Sequence, residues 1–218
     1  MTAHTHVVEK MSEVRRSCRK IKQARCLMSE GLVRKRIFER AKGRSDYLFS
    51  ETMKVIPYSK KIQGQWLIRR AGDLKRISKN ARNVQSIIPE VADALESDVS
   101  AINFEELERK DRRHRIFGKI SKIFYYASFV AIGIGAFVSL AIPKMVSSPD
   151  ERLYNTGLYI AVGGISFTIL TSAARELIEY LRPGVQKIKK AIEYMRDGLN
   201  ELGQSLQELL DTTSALSK

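Results

Sequence analysis

Little in this chain of 218 residues serves chemistry that needs a special side chain. Cys18 and Cys26 are its two cysteines. Eight positions apart on one helix, they are not poised to pair, which excludes a disulfide-stapled fold and fits reduced core thiols. His4 and His6 lack further ligands nearby, so no metal centre is expected. A glycine-rich phosphate loop, a Ser/His/Asp set and metal-ligand spacing are all missing, so the chain reads as a non-enzyme without cofactors. The first 30 residues lack an apolar run. No cleavable signal peptide is therefore expected, and the first apolar helix is expected to act as its own insertion signal. The period-two alternation of strands is also missing, which leaves an all-α protein.

Charge is missing where its absence says most. Ile123–Pro143 and Leu153–Ala174, 21 and 22 residues long, contain no Asp, Glu, Lys, Arg or His. At about 1.5 Å per residue they make helices of about 31–33 Å, the thickness of a hydrocarbon core. A polar link, Lys144–Arg152, joins them, with Pro143 and Ser147-Ser148-Pro149-Asp150 as the break. The pair therefore predicts a transmembrane hairpin over 123–174. Uncharged spans also exclude the usual proton relay, ion-coupled transporter or voltage sensor.

The flanks predict orientation. Leu107–Lys122 holds seven basic and two acidic residues, and Arg175–Lys190 holds five basic and two acidic, while the link is neutral. Both termini are therefore expected in the cytoplasm. Phe124, Tyr125 and Tyr126 at one end, and Tyr154 and Tyr159 at the other, are placed as an interfacial belt. Within the spans, Ala127, Ala131, Gly135 and Ser139 recur every four residues, and Gly157, Ala161, Gly164, Thr168 and Ser172 trace a second small face. Small residues let helices approach closely in lipid, where packing replaces the hydrophobic drive. These faces are expected to close the hairpin on itself or to join copies in a homo-oligomer.

The net charge of +14 is unevenly spread. Residues 1–82 hold 22 basic and seven acidic residues, and residues 83–108 hold seven acidic and none basic. We read residues 1–104 as a basic cytoplasmic head with an acidic hinge, 105–122 as a basic juxtamembrane collar, and 175–218 as a cytoplasmic helix. Arg15, Arg16, Arg19, Arg34, Lys35 and Arg36 of the head, with Arg112, Arg113 and Arg115 of the collar, are the expected contacts to anionic lipid or nucleic acid. Trp66 on a basic helix reads as core, stacking platform or membrane anchor.

Val7, Met11, Val14, Cys18, Ile21, Met28 and Leu32 predict one amphipathic helix with a heptad-like seam, interrupted at Arg25. A break with a turn and short helix is expected over Gly43–Pro57, anchored by Tyr47, Leu48, Phe49, Val55 and Ile56. Leu67, Leu74, Ile77, Ala81, Val84 and Ile88 predict a second helix, stopped or restarted at Pro89, and able to zip antiparallel onto the first. A short acidic helix follows, marked by Val91, Leu95, Val99 and Ile102. The cleanest heptad comes last: Val185, Ile188, Ile192, Met195, Leu199, Leu202, Leu206 and Leu209. It predicts either a coiled coil or a helix lying along the amino-terminal ones, weakened by Gly198 and Gly203 off the seam.

Arg109-Lys-Asp-Arg-Arg-His114 has the Arg-x4-His spacing of nucleases of the HEPN type, in which the pair would act on RNA phosphate at a dimer interface. We read these residues instead as the polybasic collar. The layout over about Glu105–Leu209, an Arg-rich collar, an apolar hairpin and then a heptad helix, resembles the two-transmembrane effectors of bacterial anti-phage defence. These are the SLATT class and the two-transmembrane partners of retrons. Residues 1–104 exceed what a minimal effector of that class needs, a departure that suits a partner carrying nucleic acid. The resemblance implies an inner-membrane protein held by a protein or ribonucleoprotein sensor, then released to oligomerise and permeabilise the membrane. Two other readings stay open: a non-enzymatic anchor whose basic head tethers nucleic acid or protein, and a secreted α-helical pore-forming toxin.

Overall fold

The structure, a computed structural model, describes residues 3–56, 71–141 and 151–216, and the regular elements among them are all helical. In chain order they are α1 (Ala3–Ser29), α2 (Leu32–Ile37), α3 (Glu39–Val55), α4 (Ala71–Ser100), α5 (Phe104–Ala136), a π-helical turn (Phe137–Ala141), α6 (Glu151–Leu181) and α7 (Val185–Ala215). The chain forms two units, Met1–Phe104 with Gly184–Lys218, and Glu105–Pro183. Trp66 and the link at 142–150 lie outside the described residues.

The first unit is a four-helix bundle. α1 runs antiparallel to α7, since Lys10 pairs with Glu208, Lys20 with Glu201, and Glu30 with Lys187. α3 and α4 are antiparallel too, with Arg44 on Glu90 and Asn80 on the Lys54 carbonyl. α4 meets α7 through Arg196, which grips both carboxylate oxygens of Glu96 at 2.8 Å, and through Gln85 and Gln207. α1 meets α3 where Arg25 pairs with Asp46 and lies over the Phe49 ring. Each helix thus has two antiparallel neighbours, and α1 and α4 sit on a diagonal. The expected antiparallel pair of α1 with α4 is corrected accordingly: α7, distant in sequence, takes that place beside α1.

The heptad seams make this core. Val7, Val14, Ile21 and Met28 of α1 are buried together with Ile188, Met195, Leu202 and Leu209 of α7. Burying such a side chain contributes about 1.5–3 kcal/mol, which is what holds four helices of modest propensity together. Ala24 fills the step that Arg25 interrupts. Of the expected α7 forms, the structure shows the helix laid along its own chain. Gly198 is not a mere weak point, because a Cβ there would stand 2.8 Å from Ile21 Cγ1 and 3.2 Å from its backbone nitrogen. Its lack of a side chain lets α1 and α7 close.

Two expected breaks are not breaks. Gly43 lies within α3, and the chain turns earlier, at Gly31 and at the buried Phe38. Asp98 of α4 explains why α3 starts where it does: its Oδ2 accepts the Ala41 amide at 2.9 Å, capping from another helix an amide that α3 cannot satisfy itself. Pro89 lies inside α4 on its exposed side. There the carbonyl it displaces can turn to water and the helix can bend round its core. The acidic segment is therefore a continuation of α4, whose buried stripe runs through Val84, Ile87, Val91 and Leu95. Ile87 rather than Ile88 is the core residue, Ile88 being half-buried, and Val99 and Ile102 are also only half-buried.

Candidate functional site

In the second unit α5, the π-helical turn and α6 fold back as an antiparallel helical hairpin, with two helices long and apolar enough to cross a membrane. Its interior is the reverse of a water-soluble protein's. The buried residues are Ser121, Ser128, Gly135, Ser139, Gly157, Gly164 and Thr171 with Asp111, whereas Phe129, Val130, Ile134, Ile165, Ile169 and Leu170 are exposed. Only 17% of the most apolar stretch of each helix is buried. Large apolar side chains outside and small polar ones inside are what packing in lipid selects, because contact between backbones is gained while apolar exposure costs nothing there.

The close approach is measurable at the glycines. A Cβ on Gly135 would stand 2.5 Å from the Ala161 nitrogen and 2.7 Å from the Gly157 carbonyl oxygen. One on Gly157 would stand 2.6 Å from the Ser139 nitrogen, and one on Gly164 would stand 2.7 Å from Ile132 Cγ1. Hydroxyls stitch the same seam. Ser128 and Thr168 share a hydrogen bond of 2.7 Å between their oxygens, and Ser121 Oγ donates to the Thr171 carbonyl at 3.3 Å. Thr168 and Ser139 also bond carbonyls of their own helices at Gly164 and Gly135.

The seam repeats every seven residues, Ser121, Ser128, Gly135 on one helix and Gly157, Gly164, Thr171 on the other. Stepping every four residues drifts about 40° per step, against about 20° for a heptad. The small-residue face expected on α5 is corrected for that reason: Gly135 and Ser139 are buried, Ala131 is half-buried, and Ala127 is exposed. On α6, Gly157 and Gly164 are buried, Ala161 and Thr168 half-buried, and Ser172 is also half-buried beside the buried Thr171. Ser121, Ser128 and Thr171 did not stand out in the sequence, although their seven-residue spacing from Gly135 and Gly164 is the signal that marks them. Phe124 meets Phe167 edge-on at 6.0 Å, while Tyr126, Tyr154 and Tyr159 are exposed.

At the polar end of the hairpin Asp111 is almost fully buried. Its Oδ2 accepts Arg115 Nε at 2.8 Å and its Oδ1 accepts Arg182 Nε at 3.0 Å, so one carboxylate joins α5 to the chain just after α6. Burial pushes the Asp111 carboxyl up, but the guanidinium groups of Arg115 and Arg182 outweigh it and hold the group below its ordinary value. Neither Asp111 nor Arg182 stood out in the sequence, where Asp111 reads as one acid in a basic collar. Arg112, Arg113 and Arg115 are exposed; Arg109 is exposed and His114 half-buried on the same helix.

In the bundle unit, Arg15, Arg16, Arg19, Lys35 and Arg36 are exposed. Arg34 is corrected as a surface contact, since it is buried, pairs with Glu30 at 3.2 Å and lies against Gly184. Gly184 has a φ of 65°, a backbone conformation that favours glycine, and a Cβ there would stand 2.6 Å from Arg34 Nη1, the movable end of that side chain. Cys26 is likewise corrected as a core thiol, being exposed, whereas Cys18 is buried. The chain matches no protein-family model and no curated protein.

Proposed function

We propose that the chain is a non-enzymatic, two-span membrane effector that permeabilises a membrane when several copies assemble. The observation that carries this reading is the inverted hairpin, small and polar within, large and apolar without. Its uncharged spans offer no relay for stepwise transport, and two helices cannot enclose a pore, so action on the membrane would require assembly. Within one chain, both the α7 seam and the glycine seam of the hairpin are already filled. The closed chain is thus the resting form of the proposal, and a sensor partner in an inner membrane would act by letting these surfaces exchange between copies. The test is induced expression, alone and with a co-encoded partner, followed by membrane-potential and dye-exclusion readings. Depolarisation and dye entry that Gly135→Leu abolishes are expected; full potential and dye exclusion at high expression contradict the reading.

A second reading, a membrane anchor or scaffold, draws on the same filled surfaces, which need no second copy. The exposed Arg15, Arg16, Arg19, Lys35 and Arg36 would then meet an acidic partner or nucleic acid. Part of the head's charge is already matched inside the bundle, where Lys10 and Lys20 face Glu208 and Glu201. Retention of partner binding with Gly135→Leu, in cells that never depolarise, favours the scaffold.

A further inference from the structure

A basic groove of about 690 Å³ opens between α5 and α6 at the polar end of the hairpin. Arg115, Lys119 and Lys122 line it from α5, and Ser172, Arg175 and Arg182 from the other side. Glu176 and Glu179 also border it, and Asp111 is gripped by Arg115 and Arg182. Five cationic Lys and Arg side chains against these three carboxylates leave an excess of two positive charges. Lys122 immediately precedes the apolar run at Ile123, and Arg175 immediately follows the run ending at Ala174. Around the groove Phe117, Ile120, Ile123 and Leu177 are exposed. The groove thus places cations and a hydroxyl at the end of the apolar segment, with apolar surface flanking them.

We propose that this groove is a binding site for the phosphate headgroup of an anionic phospholipid, whose acyl chains lie along the exposed apolar residues. Free phosphate would satisfy the cations but leave the apolar flank unused. A zwitterionic lipid brings its own ammonium into a cationic groove. Basic pockets between membrane helices near the cytoplasmic surface take such headgroups, and each basic residue there contributes on the order of 1 kcal/mol. The inference rests on the reading of the hairpin as membrane-spanning. It involves Lys119, Lys122 and Arg175, which the charge pattern of the collar does not single out.

The test uses the full chain in nonionic detergent, with native mass spectrometry of retained lipid. Phosphatidylglycerol and phosphatidylcholine are supplied at equal mole fraction, and inorganic phosphate or a short RNA is added as competitor. Retention of phosphatidylglycerol about tenfold or more above phosphatidylcholine is expected, unaffected by either competitor. Lys119→Gln/Lys122→Gln/Arg175→Gln should bring the two lipids within about twofold, and Lys22→Gln/Arg82→Gln, exposed residues of the bundle unit, should leave the preference intact. Equal retention by the wild type, displacement by phosphate or RNA, or equal loss in both variants overturns the site. If circular dichroism shows the triple variant unfolded, Arg175→Gln alone and the wild-type comparison decide. Alkaline carbonate extraction separates the two failures: protein that resists extraction yet shows no preference sinks the groove alone, and protein that washes out sinks the membrane reading beneath it.

Discussion

Burial separates the two thiols more than their spacing suggests. Burial pushes the Cys18 thiol up to about 12, against the pull of the Thr52 hydroxyl, and Cys26 stands exposed on the same helix. The thiolate is the reactive form, so iodoacetamide at pH 8 should modify Cys26 about tenfold or more faster than Cys18, with the gap closing in denaturant. Equal rates in the native protein would contradict the buried α1 face. Asp111 makes the complementary case for a buried charge. Asp111→Asn leaves Arg115 and Arg182 without their shared anion and should cost about 2 kcal/mol, less than a fully buried pair because both arginines are partly exposed. Because its carboxyl is held below the ordinary value, its stabilisation is complete above the unfolded pKa and is lost as pH falls through the folded one. The wild-type hairpin should therefore lose stability relative to Asp111→Asn as pH drops below about 4, read by thermal melts in detergent. Parallel pH profiles would remove Asp111 from the account.

Among the elements, the hairpin glycines give an internal control. Gly135 and Gly133 are two positions apart on α5, but a Cβ on Gly133 meets nothing within 4 Å while one on Gly135 meets backbone at 2.5 Å. Gly135→Ala should push the helices apart and lower the melting temperature in detergent; Gly133→Ala should be neutral or gain up to about 1 kcal/mol from helix propensity. Gly164 and Gly163 repeat the comparison on α6, with Gly163 open. Equal effects within each pair would mean that the seam lies elsewhere. Periodicity explains which elements were legible. The α1 and α7 heptads carry strong apolar repeats, and the two apolar runs are long and uncharged, so their existence follows from composition alone. Pro89 and Gly43 misled because a breaker acts on local backbone preference, whereas the bundle sets the cost: at Pro89 the affected face is in solvent, and α3 gains a cap from Asp98 that no local pattern announces. The small faces were legible in kind but not in phase, because Ala127 and Ser128 are equally small and only the crossing of two helices chooses between them.

For the molecule as a whole, the segregation of charge along the chain turns into pairing across the bundle. Basic α1 lies beside α7, whose Glu201 and Glu208 answer Lys20 and Lys10, and the acidic stretch of α4 offers Glu90 to Arg44 and Glu96 to Arg196. Exposed pairs of this kind contribute about 0–1 kcal/mol each, so they select neighbours more than they add stability. Which helix neighbours which was not legible, since α1, α4 and α7 all carry compatible stripes and only these cross-helix pairs and the Ile21–Gly198 approach fix the order. Under the proposed function the hairpin of the second unit crosses a bilayer twice, which leaves both bundle segments on one side. Cys26 is a native probe of that side, and Ser147→Cys in the Cys26→Ala background probes the link, with Cys18 silent in each. In intact cells a membrane-impermeant maleimide is expected to label Ser147→Cys and to reach Cys26 only after lysis. Labelling of Cys26 in intact cells, or protection of Ser147→Cys until lysis, would contradict the claim.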